Sequence, residues 1–171
     1  MGIAVCVCPA TVKIVDEKGE LMSNDAYRIK DCPSEHADAK VTRWFADFCI
    51  AYFSATPVAK IYLTGSRVTG ISSKGGSVRP NSDYDFYVVI RDTKPELKIT
   101  GSALWEPLVD AVRNARAQVG IQRTIDALVC TESDFETSLH SEESHATKAS
   151  REGFVVAEQV ASGVMQAPPR V

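Results

Sequence analysis

Little in this chain points to nucleic acid, a lipid bilayer or an oxidising compartment. Lys and Arg number 19 against 22 Asp and Glu, so there is no basic excess, and no basic stripe shows in the order of residues. A protein that grips nucleic acid through its phosphates carries such a stripe. Its lack lowers that class of partner, although a nucleic acid acceptor stays open. No stretch approaches the ~18 apolar residues of a membrane-spanning helix, and the start, MGIAVCVCPATV, lacks the positive region of a secretory signal. Gly2 invites N-myristoylation, but that motif requires Ser or Thr where Cys6 stands. These absences make a cytoplasmic protein the expectation, with no membrane partner. Five cysteines without a CxxC pair do not form a disulfide framework, so free, buried thiols are expected. The three histidines, His36, His140 and His145, have no liganding spacing and are expected in solvent. No internal repeat is visible.

What is present reads as one ordinary globular domain with an appendage: 171 residues, 44% apolar and 24% charged. Residues 1–32 contain two β-branched runs around Pro9 and a turn at Gly19, which predicts an N-terminal β-hairpin appendage. Pro33 and Ser34 announce a helix with Ser34 as its N-cap. Val41, Trp44, Phe45, Phe48 and Tyr52 then form one apolar face. A strand through Ile61 and Leu63 runs into a small-residue turn at Gly65 and Ser66, and a short helical turn is expected over 66–71. Residues 70–80 read as an exposed, mobile loop. A second strand spans 83–91, followed by a helix through Leu104, Leu108, Val112 and Ala115 that holds Pro107 in its first turn and stops at Gly120. Residues 123–130 form a third strand, and a short helix starts behind Thr131 or Ser133. The main domain is thus expected over 33–158, with a loose tail over 159–171.

The chemistry is concentrated in residues 59–90. Asp83 and Asp85 are two apart at the head of a strand, so both side chains leave one face while Tyr84, Phe86, Val88 and Ile90 supply the other. Adjacent like charges repel, and hard oxygen donors suit Mg²⁺ or Mn²⁺. The Gly65–Ser66 turn offers a phosphate its backbone and a hydroxyl. Asp126 is a lone acid inside an apolar strand pattern, costly to bury unless paired. If its strand lies beside 83–91, three carboxylates converge, a layout suited to metal-assisted displacement at phosphorus.

In this order, GSxxxG (Gly65, Ser66, Gly70), SDYD (Ser82 to Asp85) and IDALV around Asp126 resemble the nucleotidyltransferase superfamily of the DNA polymerase beta type. The likeness covers roughly residues 35–157 and is closest to minimal, antitoxin-like members and to aminoglycoside nucleotidyltransferase catalytic domains. It implies an α/β nucleotidyltransferase fold: a short mixed sheet with helices mainly on one side and the carboxylates on an open edge. It implies transfer of a nucleoside monophosphate from a nucleoside triphosphate, with ATP the expected donor, to a hydroxyl on a protein, an RNA or a small molecule. Asp83, Asp85 and Asp126 would be catalytic and metal-holding, and Gly65, Ser66, Arg67, Ser82 and Lys74 would contact the nucleotide. Lys74 and Arg79 lie on a loop longer than the family pattern, which is either a nucleotide lid or an inert insertion. No second helical domain for the acceptor is evident, so the acceptor site is expected to be shallow, shared across a dimer or supplied by another protein. The competing class is an antitoxin-type binding module that neutralises a partner toxin, with or without nucleotidylating it.

Overall fold

The computed structural model describes residues 28–72, 75–79, 81–92, 101–159 and 165–166. The hairpin expected over 1–32 falls outside them except for its end, as do Cys6, Cys8 and Lys74. That end is not an appendage: a 3-10 turn at Ile29–Asp31 places Ile29 in the main core.

The architecture is mixed α/β, with a sheet that among the described residues has five strands in the order β3-β2-β1-β4-β5. The strands are β1 (Val58–Thr64), β2 (Tyr84–Ile90), β3 (Ile125–Thr131), β4 (Phe154–Gln159) and β5 (Met165–Gln166). β2 and β3 are parallel; the pairings β1–β2, β1–β4 and β4–β5 are antiparallel. β5 corrects the expectation of a loose tail, since Met165 and Gln166 pair with Gln159 and Glu158. Among the described residues no helix is long and apolar enough to cross a membrane.

Helix α1 (Ala37–Tyr52) packs one face of the sheet through Val41, Phe45, Ala46 and Cys49, with the Phe45 ring stacked on Phe86 at 3.9 Å between centroids. Its cap is His36 rather than Ser34: Pro33–His36 closes a turn, and His36 Nδ1 accepts the Asp38 backbone N–H at 3.1 Å. His36 is therefore buried, against the expectation of solvent. A side-chain acceptor there satisfies an otherwise orphaned helix donor. Helix α2 is the short turn Ser66–Thr69. Helix α3 (Gly101–Gln118) adds Leu108 and Val112 to the same face. Because it begins at Gly101, Pro107 lies inside the helix rather than in its first turn.

The opposite face is also covered, which corrects the picture of helices mainly on one side. Helix α4 (Glu132–Ser138) is capped by Thr131, and α5 (His145–Glu152) by Ser144. Phe135, Ala146 and Ala149 from these helices pack on Ala59, Tyr62, Tyr87, Val89 and Cys130. This explains why β2 is apolar on both faces beyond Asp85. Residues 131–150 read as polar because α5 meets the sheet with alanines alone. The described cysteines, Cys32, Cys49 and Cys130, are free thiols; burial pushes Cys130 up to about 11, so it stays protonated.

Candidate active site

Three strands bring the candidate residues abreast. Thr64 at the end of β1 registers with Asp85 in β2, and Asp85 registers with Asp126 in β3. Registered residues on neighbouring strands share a face, so Asp85 and Asp126 point the same way, with strands ~4.8 Å apart. The coverage by α4 and α5 ends before this row, leaving Asp83 and Asp126 exposed and Asp85 half-buried. Asp126 is thus not the buried acid its apolar neighbours suggested; it sits on the solvent side of an edge strand. Burial first, then the charges of Asp126 and Asp83, hold the Asp85 carboxyl above its usual range. All three carboxylates line one cavity.

The donor set fits a hard divalent cation: all oxygens, mutually repelling, open to solvent on one side. Among the described residues, however, no three His, Cys, Asp or Glu side chains are gathered as a ready-made metal cage.

Gly65 closes β1 with φ 71° and ψ −155°, a conformation essentially reserved for glycine. A Cβ on it would lie 2.2 Å from Asp85 Oδ2. The turn therefore needs glycine both for its backbone and for the approach of the carboxylate. Gly65→Ala is expected to destabilise the fold by more than about 1 kcal/mol and to displace Asp85. Thermal melting alongside Mn²⁺ titration checks this; an unchanged melt with unchanged metal affinity refutes it.

Arg67 does something other than meet phosphate. Its side chain is 1% exposed, paired with Asp38 at 2.6 Å, and donates through Nη2 to the Ser82 carbonyl at 2.7 Å. Its guanidinium also stacks 4.5 Å from the Tyr84 ring centroid. Asp38 is the hub: it also accepts from Arg123 at 2.7 Å and from the Tyr84 hydroxyl. Burial, then the Asp38 charge, push the Tyr84 phenol up, so it remains a neutral donor. The consequence is a brace. The turn after Gly65 and the residue before Asp83 are tied together through Arg67. Sequence reading missed Asp38; only its burial among two arginines and a phenol distinguishes it.

The carboxylates open onto a cavity of about 720 Å³ lined also by Gly65, Ser66, Ser82, His145, Lys148 and Glu152. Among the described residues lining it, Lys148 is the one Lys or Arg, whereas the sequence reading gave the nucleotide contact to Arg67 and Lys74. Ser82 lines the cavity, and its hydroxyl accepts the Arg79 backbone N–H at 3.2 Å. Ile71 and Ser72 border the cavity, and Ile71 pairs with Ser77 in an isolated antiparallel bridge. Arg79 is exposed and does not line the cavity. Comparison with known proteins finds no matching family model, no matching curated protein and no matching solved structure.

Proposed function

We propose that the protein is a metal-dependent nucleotidyltransferase of the DNA polymerase beta type, moving a nucleoside monophosphate from a nucleoside triphosphate to a hydroxyl and releasing pyrophosphate. The observation that carries the reading is the register Thr64–Asp85–Asp126, which sets the Gly65–Ser66 turn beside two carboxylates on one face of the sheet. Asp83, Asp85 and Asp126 would hold Mg²⁺ or Mn²⁺, which supplies charge neutralisation and polarisation of the phosphoryl oxygens. The Gly65–Ser66 turn and Lys148 take the phosphate tail, with Ser82 beside them. Asp126, exposed at the sheet edge, accepts the proton of the acceptor hydroxyl. The acceptor oxygen bonds to the α-phosphorus, and the bond to pyrophosphate breaks with its electron pair. Arg67 acts through Ser82, as a positioning residue.

Incubation with Mg²⁺ or Mn²⁺ and each triphosphate in turn is expected to release pyrophosphate and add one nucleotide's mass to an acceptor. If neither metal with any triphosphate gives release, the reading falls and the binding-module class takes its place. Within the reaction, Lys148→Ala should raise KM for the triphosphate by ~10-fold or more with kcat little changed, the size of a lost charge-assisted hydrogen bond. An unchanged KM removes Lys148 from the site.

A further inference from the structure

A second hollow of about 550 Å³ adjoins the first and shares Tyr87, Trp105, Leu128 and His145 with it. Among the described residues its lining carries no carboxylate and no Lys or Arg; Ser138 and Ser144 add its polar edge. The Ser144 hydroxyl is already engaged, donating to the Ser138 carbonyl at 2.7 Å and capping α5 through Thr147 N–H. Trp105 is 43% and Leu128 39% exposed. Of the five exposed large apolar side chains among the described residues, Ile71, Trp105 and Leu128 line these two hollows, so the exposure is gathered at a cleft.

Strand order gives this hollow a direction. Across the sheet run the Gly65 turn after β1, Asp85 in β2 and Asp126 in the edge strand β3, with Leu128 on the same face one pleat further along. In an in-line displacement the attacking and leaving oxygens lie on opposite sides of phosphorus. With the phosphate tail at the Gly65 end, the acceptor enters from the β3 side. We infer that the hollow floored by Leu128 and walled by Trp105 is the acceptor subsite, and that it takes an uncharged small molecule whose planar apolar ring stacks on Trp105 and presents a hydroxyl to Asp126. This rests on the nucleotidyl-transfer reading. The volume suits a small ligand, whereas a protein partner needs ~800 Å² of surface on each side. An RNA end would bring phosphates to a hollow whose described lining holds no Lys or Arg, in a chain of net charge −3.

The chain has two tryptophans, Trp44 and Trp105, so 5-fluorotryptophan labelling yields a reporter in the hollow and a reference in α1. Titration with 2-naphthol, without metal or nucleotide, is expected to move the Trp105 fluorine resonance saturably and leave that of Trp44 in place. Leu128→Asp, a change at an exposed position, should weaken the binding by ~10-fold or more, the scale of one buried leucine side chain. Addition of ATP with Mg²⁺ should leave the naphthol bound. The inference is overturned if Trp105 does not respond, if both resonances move together, or if Leu128→Asp binds as well. It is equally overturned if ATP displaces naphthol, which would make the hollow a base site, or if a short RNA or a peptide binds there more tightly. Because these titrations need no turnover, their failure is distinct from a failure to release pyrophosphate.

Discussion

Asp85→Asn is expected to abolish nucleotidyl transfer and, at neutral pH, to raise the melting temperature. The loss follows from removing the central carboxylate of the row; several kcal/mol of transition-state charge stabilisation amounts to on the order of 10³-fold in rate. The gain follows from the pKa. Burial, Asp126 and Asp83 all disfavour the ionised carboxyl, so its folded pKa lies above the unfolded value near 3.8. A raised acid contributes stability that is complete below the unfolded pKa and is lost as pH climbs through the folded one. At pH 7 the charged group is therefore a cost, which a neutral amide of the same shape removes. The gain should vanish in melts taken at acid pH, where the wild-type carboxyl is protonated too. Mg²⁺ or Mn²⁺ should stabilise the wild type in proportion to its occupancy and leave Asp85→Asn unmoved. A variant that melts lower at pH 7 and still responds to metal would contradict both halves. The pattern expected, activity held at the expense of stability, is the one that functional carboxylate clusters show.

Asp38→Ala is expected to be the most destabilising single change in the domain, although Asp38 does not line the cavity. The substitution leaves the buried Arg67 guanidinium, the Arg123 contact and the Tyr84 hydroxyl without their common acceptor. Removing one partner of a buried ion pair costs about 3–5 kcal/mol, a large share of the 5–15 kcal/mol that holds a domain of this kind together. Urea unfolding should show a lower midpoint with an unchanged slope. A milder variant separates the brace from simple stability. Arg67→Lys keeps the charge but loses the fork that reaches Asp38 through Nη1 and the Ser82 carbonyl through Nη2. Its folded fraction should lose ~10-fold or more in kcat with KM for the triphosphate nearly unchanged, about one hydrogen bond's worth of positioning. If KM rises instead and kcat holds, Arg67 is a phosphate ligand after all and the brace is wrong. If only stability moves, the link from Arg67 to Asp83 carries no functional weight.

What was legible beforehand was what the chain repeats locally. Val41, Trp44, Phe45, Phe48 and Tyr52 recur at helical spacing; Val41 and Phe45 are buried in the core, Trp44 and Phe48 pack half-buried against it, and Tyr52 at the helix end is exposed. Tyr84, Phe86, Val88 and Ile90 alternate, and they bury as one face of β2, so Asp83 and Asp85 had to emerge on the other. Gly65 could be read as a turn because a strand pattern stopped there. Lys148 and Trp105 could not be read as cavity residues: nothing near them in the chain marks the fold that brings α5 and α3 to the carboxylates.

Periodicity says which face a side chain leaves by, but not which strand lies alongside or whether a charge will find a buried partner. Tertiary structure decided that β3 runs parallel to β2 in the register that aligns Asp126 with Asp85. It turned Arg67 inward to Asp38, a partner 29 positions earlier in the chain, and brought in Arg123 from 85 positions later. Such pairings depend on distant segments meeting after the core has formed, and no local pattern of charge or hydropathy encodes them.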